Sequence, residues 1–363
     1  MKTVIGFGEI MGRLAPDQFY RFSQSCPGKL DLSFAGAEAN VAVSIALLGG
    51  TSAFVTALPK HAVADACIRT LQGLGVDTKH ILRTKQGRLG LYFVETGANQ
   101  RPSNVIYDRE GAAVAQTPAD AYAWDEIFSG AGWFHISGIT PALSHCAAEA
   151  VLQAAQTAKK HGITVSCDLN FRKNLWRWDS QKTPKQLAGE VMRKILTSVD
   201  VLIANEEDAS DVLDIHPGDT DVNQGKLDVE KYTDVAQKIA SEFPNISMVA
   251  TTLRESISAN HNNWGAMLYD VKAKESHFSP NHNGTYQPYP ITDIVDRVGG
   301  GDSFAAGLIY ALTTPDLSEP KTALSFAVAS SCLAQSIHGD FNYSTRKEVE
   351  ALMSGQGRGR IVR

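Results

Sequence analysis

Short segments rich in β-branched residues alternate along this chain with helix-length segments whose apolar residues recur at helical spacing. The strand-like segments are residues 3–8, 52–56, 133–137, 164–169, 199–203 and 246–251. The helical patterns are residues 37–48, 63–74, 145–160, 184–196, 229–242, 304–312 and 323–335. This alternation predicts an α/β fold, a doubly wound and mostly parallel sheet flanked by helices. Ligands in such sheets bind at the C-terminal ends of the strands.

Two segments interrupt this alternation. Residues 10–35 and 85–116 carry short alternating runs that are typical of antiparallel strands outside the main sheet. We interpret these strands as a small β lid over a site. Residues 256–292 are rich in Asn, His, Pro and Tyr, which predicts hairpins with loops. Because no internal repeat or low-complexity linker is present, the sequence predicts a single domain over residues 1–363 with lid segments at about 10–35 and 85–116.

Composition narrows the classes of partner and compartment. The chain has 363 residues and a net charge of −5 with no basic block, which argues against nucleic acid or an anionic membrane as a partner. Its five cysteines are scattered and odd in number, a pattern of reduced thiols in a cytoplasmic protein and not of disulfides or zinc ligands. No apolar stretch approaches the ~20 residues of a membrane span, and residues 1–12 do not resemble a signal peptide.

The segment Asp296-Arg-Val-Gly-Gly-Gly-Asp-Ser-Phe304 precedes an apolar helical pattern. Gly299, Gly300 and Gly301 can turn their backbone N–H groups toward a ligand, and a helix N-terminus there favours an anion. A carboxylate would repel phosphate, so Asp302 is expected to take a proton from an attacking hydroxyl. The alternative is a tight loop followed by an ordinary helix-start acid.

This segment, together with Phe34-Ala-Gly-Ala-Glu-Ala-Asn40, resembles the PfkB (ribokinase-like) family of carbohydrate kinases, and most closely its 2-keto-3-deoxygluconate branch. Arg297 and Gly300 replace the threonine and alanine of the family's usual Asp-Thr-x-Gly-Ala-Gly-Asp run. The resemblance extends from about residue 3 to about residue 352. It implies a ribokinase-like fold with ATP and Mg²⁺ as cofactors, and a monovalent cation is required in parts of the family. It also implies a homodimer or higher homo-oligomer formed through the lid.

Two further motifs are implied to bind the sugar. Gly36, Ala37 and Asn40 match the family's block that holds substrate hydroxyls, although an Asn at a helix start otherwise only caps the helix. Tyr107 and Arg109 lie on one face of a predicted strand, with Tyr92 on another. A planar guanidinium binds a carboxylate with two hydrogen bonds, so Arg109 favours a sugar acid as substrate. Its alternative role is an exposed charge at the rim of the site.

Three more motifs concern the nucleotide and its metal. Asn170 and Arg172 follow a predicted central strand together with Asp168; the resemblance places Arg172 between sugar and phosphates and Asn170 near the nucleotide. The family's Asn-x-x-Glu motif, which positions hydrated Mg²⁺, corresponds here to Asn205 and Asp208 with Glu207 adjacent. Which acid of residues 206–208 serves stays open, and acids at a helix start can also simply oppose its dipole. The remaining candidates are three nucleotide-binding residues and one acid that closes the sugar pocket: Thr252, Leu253, Arg254 and Asp340.

The predicted activity is ATP-dependent phosphorylation of 2-keto-3-deoxygluconate to 2-keto-3-deoxy-6-phosphogluconate. Two alternatives stay open: a fructokinase-like enzyme for a neutral hexose, and a catalytically idle sugar-acid sensor. A Rossmann dehydrogenase is disfavoured because Gly6-x-Gly8 is followed by Met11 where the third glycine belongs. The sequence does not separate gluconate from galactonate stereochemistry.

Overall fold

The computed structural model describes residues 2–205, 207–217 and 229–355, which form sixteen strands and twelve α-helices. The strands are β1 (Thr3–Phe7), β2 (Met11–Ala15), β3 (Asp31–Ala35), β4 (Ser52–Pro59), β5 (Ile81–Thr84), β6 (Gly90–Glu95), β7 (Asn104–Asp108), β8 (Ala131–Ser137), β9 (Thr164–Asp168), β10 (Val201–Asn205), β11 (Met248–Ser258), β12 (His261–Asp270), β13 (Glu275–Ser279), β14 (Asn281–His282), β15 (Thr285–Tyr286) and β16 (Tyr289–Ile291). The helices are α1 (Phe22–Ser25), α2 (Ala37–Leu47), α3 (Ala62–Gly73), α4 (Ala113–Gln116), α5 (Trp124–Ile127), α6 (His145–Lys160), α7 (Pro184–Leu196), α8 (Asp208–Leu213), α9 (Val229–Glu242), α10 (Gly300–Leu312), α11 (Pro320–Ala334) and α12 (Arg346–Met353).

The main sheet follows the order β13-β12-β11-β10-β9-β8-β1-β4-β5, and β16 pairs with β12 at one end. All neighbours from β11 to β5 are parallel, whereas β12 runs antiparallel to β11, β13 and β16. Helices cover both faces, with α2, α10 and α11 on one side and α6 and α9 on the other. This arrangement confirms the predicted ribokinase-like, doubly wound α/β fold.

Helix α10 occupies a protected position between the sheet and its neighbouring helices. Residues 303–311 of this helix are all buried, and it packs against α11 and α2. A helix that is apolar on all sides is stable only when it is enclosed in this way. It begins at Gly300, four residues before the apolar run predicted from the sequence, so two of the three glycines already belong to its first turn. The core therefore holds the Gly-rich N-terminus of α10 in a fixed place.

A second, smaller sheet lies beside the main one, in the order β3-β2-β6-β7; we call it the small sheet. Its strands come from the two segments predicted to lie outside the main sheet. The prediction that they are antiparallel was wrong for one pair, because β2 and β6 are parallel. The chain leaves the small sheet after β3 and passes through α2, β4, α3 and β5. It then returns to the small sheet as β6, which runs in the same direction as β2.

Other differences are local. The sequence patterns did not predict β5, α8 or α12, which are short. Residues 256–292 contain the turn of the long β11–β12 hairpin and the strands β13 to β16, in agreement with the predicted hairpins. Within the described residues, no helix combines the length and the apolar character needed to cross a membrane.

Candidate active site

The Gly-rich segment makes a tight turn into α10. Gly299 adopts a left-handed conformation with φ of 81°, which L side chains rarely adopt. A Cβ atom on this residue would also collide with the carbonyl oxygen of Asp340. The hydroxyl of Ser331 donates a 2.6 Å hydrogen bond to the carbonyl of Gly300 and so fixes the first turn against α11. Because the first N–H groups of a helix have no partner within it, this turn presents free donors to the pocket.

Asp302 lies in the first turn of α10 and is held by Asn40 from α2. Asn40 Nδ2 donates to Asp302 Oδ2 at 2.6 Å, while Asn40 Oδ1 accepts the backbone N–H of Gly36 at 3.2 Å. The pKa of Asp302 is raised to about 7, chiefly by burial and in addition by Asp340 and Glu38, while the Asn40 hydrogen bond and Arg172 oppose this shift. The carboxyl is thus close to half ionised at neutral pH, which suits a general base.

Glu38 is a buried acid that the sequence reasoning missed. Its Oε1 accepts hydrogen bonds from the Ser137 hydroxyl at 2.7 Å and the Thr140 hydroxyl at 2.9 Å. A side chain on Gly8 would collide with its carboxylate, so Gly8 leaves the space that Glu38 fills. Burial raises the pKa of Glu38 despite these donors. Glu38 fastens the start of α2, and with it Asn40, to the C-terminal end of β8.

A pocket of about 380 Å³ lies among the C-terminal strand ends, the Gly-rich turn and the small sheet. It brings together seventeen of the predicted site residues: Gly36, Ala37, Asn40, Tyr92, Tyr107, Arg109, Asn170, Arg172, Asn205, Asp208, Thr252, Arg254, Gly299, Gly300, Gly301, Asp302 and Asp340. Two others do not line it: Leu253 is buried in the core, and Glu207 is exposed outside the pocket. Glu206, the remaining acid of that motif, lies outside the described residues.

Arg109 is buried in the pocket wall and not an exposed rim charge. Its Nε donates to Glu9 Oε2 at 2.8 Å, and Nη2 contacts the same oxygen. The guanidinium lies 5.4 Å from the ring centre of Tyr107, which stacks on Tyr92 with ring centres 6.0 Å apart. Glu9 was not predicted from the sequence; burial raises its pKa, although Arg109 acts in the opposite direction. The carboxylate of Glu9 and the ring of Tyr107 therefore contact the guanidinium on two sides.

A second buried ion cluster lies at the junction of the small sheet and the Gly-rich turn. Asp340 Oδ1 accepts hydrogen bonds from Tyr92 Oη at 2.6 Å and from Arg13 Nη1 at 2.5 Å. The other terminal nitrogen of Arg13 contacts Asp296. Burial raises the pKa of Asp340, while Arg13 and Tyr92 lower it. Arg13 was also missed, since nothing in its surrounding sequence distinguishes it from a surface residue.

Two further carboxylates lie at the ends of β9 and β10. Asp208 accepts backbone N–H groups from Phe171 and Asn205, both at 3.1 Å. Burial raises the pKa of Asp168 well above its usual value, and the nearby carboxylates of Asp208 and Asp302 add to this effect. Within the described residues, no three His, Cys, Asp or Glu side chains are grouped as direct ligands of a metal ion. The carboxylate oxygens at these strand ends suit a hard cation that keeps several of its own water ligands.

Three further cationic side chains line the pocket. Arg172 follows β9, and Arg254 lies on β11; both are exposed to the pocket. Arg297 donates to the carbonyls of Ser258 at 3.0 Å and Ala259 at 2.6 Å, which ties the Gly-rich segment to the β11–β12 hairpin. Three guanidinium groups thus surround the approach to the Gly-rich turn, an arrangement suited to a polyanion.

Known proteins resemble this chain along nearly its whole length. It is 33% identical over 352 residues to a 2-dehydro-3-deoxygalactonokinase of Haloferax volcanii, covering 97% of this chain and 96% of the relative. The crystal structure of a 2-dehydro-3-deoxygluconokinase of Thermotoga maritima superposes with a TM-score of 0.87 and 40% identity, covering 98% of this chain and 100% of the other. Fructokinase-2 of Solanum lycopersicum is 27% identical over 306 residues, 84% of this chain and 80% of that protein.

The family model described as pfkB family carbohydrate kinase matches residues 1–255 and 263–345. This match includes Asn40, the Gly-rich turn and Asp302, which all line the same pocket. The earlier resemblance is confirmed, and the protein belongs to the pfkB family of carbohydrate kinases.

Proposed function

We propose that this kinase transfers the γ-phosphoryl group of ATP to the terminal hydroxyl of 2-keto-3-deoxygluconate, giving 2-keto-3-deoxy-6-phosphogluconate. The observation that carries the proposal is the placement of Asp302, the first turn of α10 and Arg109 around one pocket. The relatives from Haloferax volcanii and Thermotoga maritima, which are named as kinases of 2-dehydro-3-deoxy sugar acids, support the choice of substrate.

In this proposal Asp302 is the general base. Its Oδ2 is engaged by Asn40, so Oδ1 is available to accept the proton of the attacking hydroxyl. With a pKa of about 7, the carboxyl is ionised in a large fraction of molecules at neutral pH, and the carboxylate is a strong enough base to take the proton. The free N–H groups beside Gly299, Gly300 and Gly301 stabilise the charge on the transferring phosphoryl group, usually the larger part of catalysis in such reactions.

Arg109 is proposed to bind the substrate carboxylate. Glu9 takes Nε and one terminal nitrogen of this guanidinium and leaves Nη1 for a ligand. Tyr107 and Tyr92 form an aromatic wall over the sugar and help to exclude water, which would otherwise compete as phosphoryl acceptor. Gly36, Ala37 and Asn40, with Asp340 opposite, are proposed to surround the sugar hydroxyls.

ATP is proposed to lie along the strand ends, near Asn170, Arg172, Asn205, Thr252 and Arg254. When bound, Mg²⁺ would neutralise charge on the phosphates through its water ligands. Asp208 is better placed than Glu207 to hold those waters, because it is buried at the pocket wall. We leave the side chain of Leu253 out of the site, because it packs in the core.

A neutral hexose is the second candidate substrate. It is favoured by the Glu9–Arg109 ion pair, because an arginine that is already neutralised does not require an anionic ligand. The similarity to a plant fructokinase points the same way. A fructokinase would keep the Asp302 mechanism and change only the sugar contacts.

We also propose a homodimer formed through the small sheet. Ile106 on β7 is 48% exposed and Leu32 on β3 is 49% exposed, and the strand pairing places both on the face of the small sheet opposite to Tyr92 and Tyr107. Large apolar side chains grouped on one face commonly mark an interface between proteins.

We propose a cytoplasmic location for this protein. All five cysteines are free thiols, which is in keeping with that location.

The experiment that tests the proposed function is ADP release from Mg·ATP with four acceptors compared in parallel. These are 2-keto-3-deoxygluconate, 2-keto-3-deoxygalactonate, fructose and ribose, each measured with and without K⁺ because part of the family requires a monovalent cation. We expect turnover of the keto-deoxy acids and a loss of at least about 100-fold in kcat for Asp302→Asn, the usual contribution of a positioned base. Turnover of fructose alone would overturn the substrate, and a fully active Asp302→Asn variant would overturn the mechanism.

A further inference from the structure

Arg13 joins the small sheet to the Gly-rich turn. It lies on β2, is 4% exposed, and its guanidinium spans the carboxylates of Asp296 and Asp340. These two acids are 283 and 327 residues away along the chain. We propose that Arg13 is a positioning residue: it couples the place of the small sheet over the pocket to the geometry of the phosphoryl-binding turn. This inference rests on the proposed phosphoryl transfer but not on the identity of the acceptor.

The Asp296 end of this contact controls the entry into the turn. Asp296 Oδ1 accepts the backbone N–H of Val298 at 3.1 Å, and Oδ2 accepts that of Gly339 at 3.2 Å. The side chain therefore fastens the residues just before Gly299 to the loop that follows α11. Arg13 contacts the same Oδ2. A shift of Arg13 would be passed directly to the residue that shapes the start of the turn.

The Asp340 end controls the other side of the turn. The backbone carbonyl of Asp340 lies so close to Gly299 that no Cβ atom fits between them. The Asp340 carboxylate holds both Arg13 and the hydroxyl of Tyr92, which lines the sugar side of the pocket. Arg13 thus contacts the two acids that flank Gly299 and, through Asp340, one wall of the sugar site.

Only a guanidinium fits this role. Its planar fork directs separate N–H donors toward two carboxylates, whereas a lysine ammonium acts as a single point charge on a flexible stem. A lysine at position 13 would keep the compensating charge but hold one acid more firmly than the other. The turn would then be free to move relative to the small sheet, and small displacements of catalytic donors reduce the rate strongly.

The test compares Arg13→Lys with Arg88→Lys. Arg88 lies at the edge of the small sheet and binds Asp108 through two hydrogen bonds of 2.6 and 2.8 Å, but this pair is exposed and does not contact the Gly-rich turn. We expect Arg13→Lys to lower kcat about 100-fold while both KM values change less than about threefold, as for a displaced catalytic group. Arg88→Lys should keep both constants. A kcat of Arg13→Lys within threefold of wild type would overturn the proposal.

A second variant separates the positioning role from misfolding caused by an uncompensated buried charge. Arg13→Met combined with Asp296→Asn removes the guanidinium together with one of the charges that it compensates, and it leaves Asp340, which we place at the sugar, unchanged. We expect this double variant to be folded by circular dichroism and to retain the low kcat of Arg13→Lys, because a methionine at position 13 cannot bridge positions 296 and 340. Recovery of wild-type kcat in the double variant would show that only charge compensation matters and would overturn the positioning role.

A third readout does not depend on turnover. Amide hydrogen exchange of Val298 and Gly339, whose N–H groups are bound by the Asp296 carboxylate, reports local opening of the turn. We expect faster exchange there in Arg13→Lys than in wild type, and no change in Arg88→Lys. Equal exchange in all three proteins would overturn the coupling. If wild type phosphorylates none of the acceptors, the proposed function fails while this comparison still decides the role of Arg13. If it phosphorylates fructose, the kinetic comparison is made with fructose.

Discussion

Asn40 and Asp302 are 262 positions apart in the sequence, and a 2.6 Å hydrogen bond joins their side chains across the N-termini of two helices. Asn40 cannot rotate freely, because its carbonyl oxygen accepts the N–H of Gly36. The amide therefore presents its NH₂ group to Asp302 and favours the ionised form of that carboxyl. A residue that we propose to bind the sugar thus orients the proposed base and lowers its proton affinity.

The first prediction concerns the pH dependence of turnover. The base must be ionised, so kcat/KM should fall about tenfold per pH unit below its pKa and level off above it. For wild type the transition should lie at about pH 7, the pKa of Asp302. Removing the Asn40 hydrogen bond raises that pKa further, so the profile of Asn40→Ala should shift to higher pH. ADP release measured from pH 5.5 to 9 checks both profiles, and a flat wild-type profile would contradict the assignment.

A second prediction links the same carboxyl to stability. The pKa of Asp302 in the folded protein, about 7, exceeds the value near 3.9 expected in an unfolded chain. Ionisation therefore favours unfolding, and stability is lost as pH rises from about 4 to about 7. Asp302→Asn has no such loss. The Tm of this variant relative to wild type should rise between pH 4 and pH 8 in the absence of ligands, as measured by calorimetry. A difference that does not change with pH would count against a raised pKa.

Substrate charge gives a third prediction. Arg109→Met removes the proposed partner of the carboxylate, so kcat/KM for 2-keto-3-deoxygluconate should fall by about 10- to 150-fold, the equivalent of the roughly 1.5–3 kcal/mol typical of a hydrogen bond to a charged group. To avoid an uncompensated buried acid, the variant should also carry Glu9→Gln. Arg88→Met, an exposed arginine of the same sheet, is the control and should behave as wild type. Equal losses of activity toward a keto-deoxy acid and fructose would show that Arg109 has a structural role only.

A fourth prediction tests the interface. Ile106 is 48% exposed in the centre of β7, so Ile106→Glu should place a charge in the middle of the proposed dimer contact and produce monomers. Ile257→Glu is a matched control, because Ile257 is similarly exposed, at 54%, but lies on β11 of the main sheet. Light scattering coupled to size-exclusion chromatography gives the mass of each protein. Identical masses for Ile106→Glu and wild type would exclude this face as the interface.

Much of the fold and part of the candidate site could be predicted because both follow local rules. The alternation of strand and helix patterns determines a parallel sheet, and the ends of such strands converge on one edge. Asn170 follows β9, Asn205 ends β10, and Thr252 pairs with Asn205 on the neighbouring strand β11, so their meeting in one pocket follows from topology. The glycine run before an apolar segment indicated the helix N-terminus in the same way.

The partners of these residues were not predictable, because they depend on contacts between distant segments. Glu9 and Arg13 belong to an ordinary turn and an ordinary strand, and only the packing of the small sheet shows that Arg109 and Asp340 are paired with them. Leu253 illustrates the opposite error. A motif was transferred residue by residue, yet alternation along β11 directs this side chain into the core while Thr252 and Arg254 line the pocket.

In the proposed mechanism, the Asn40–Asp302 contact also affects what happens after the phosphoryl group has moved. A base that has taken a proton must return it to water before the next substrate can react. Burial alone would raise the pKa of Asp302 further and slow the release of that proton, whereas the hydrogen bond from Asn40 lowers the pKa by favouring the anion. The contact therefore keeps the basicity of the carboxylate in an intermediate range. A weaker base would not deprotonate an alcohol, and a stronger base would not release the proton again. The same amide that prepares the base for one turnover resets it for the next.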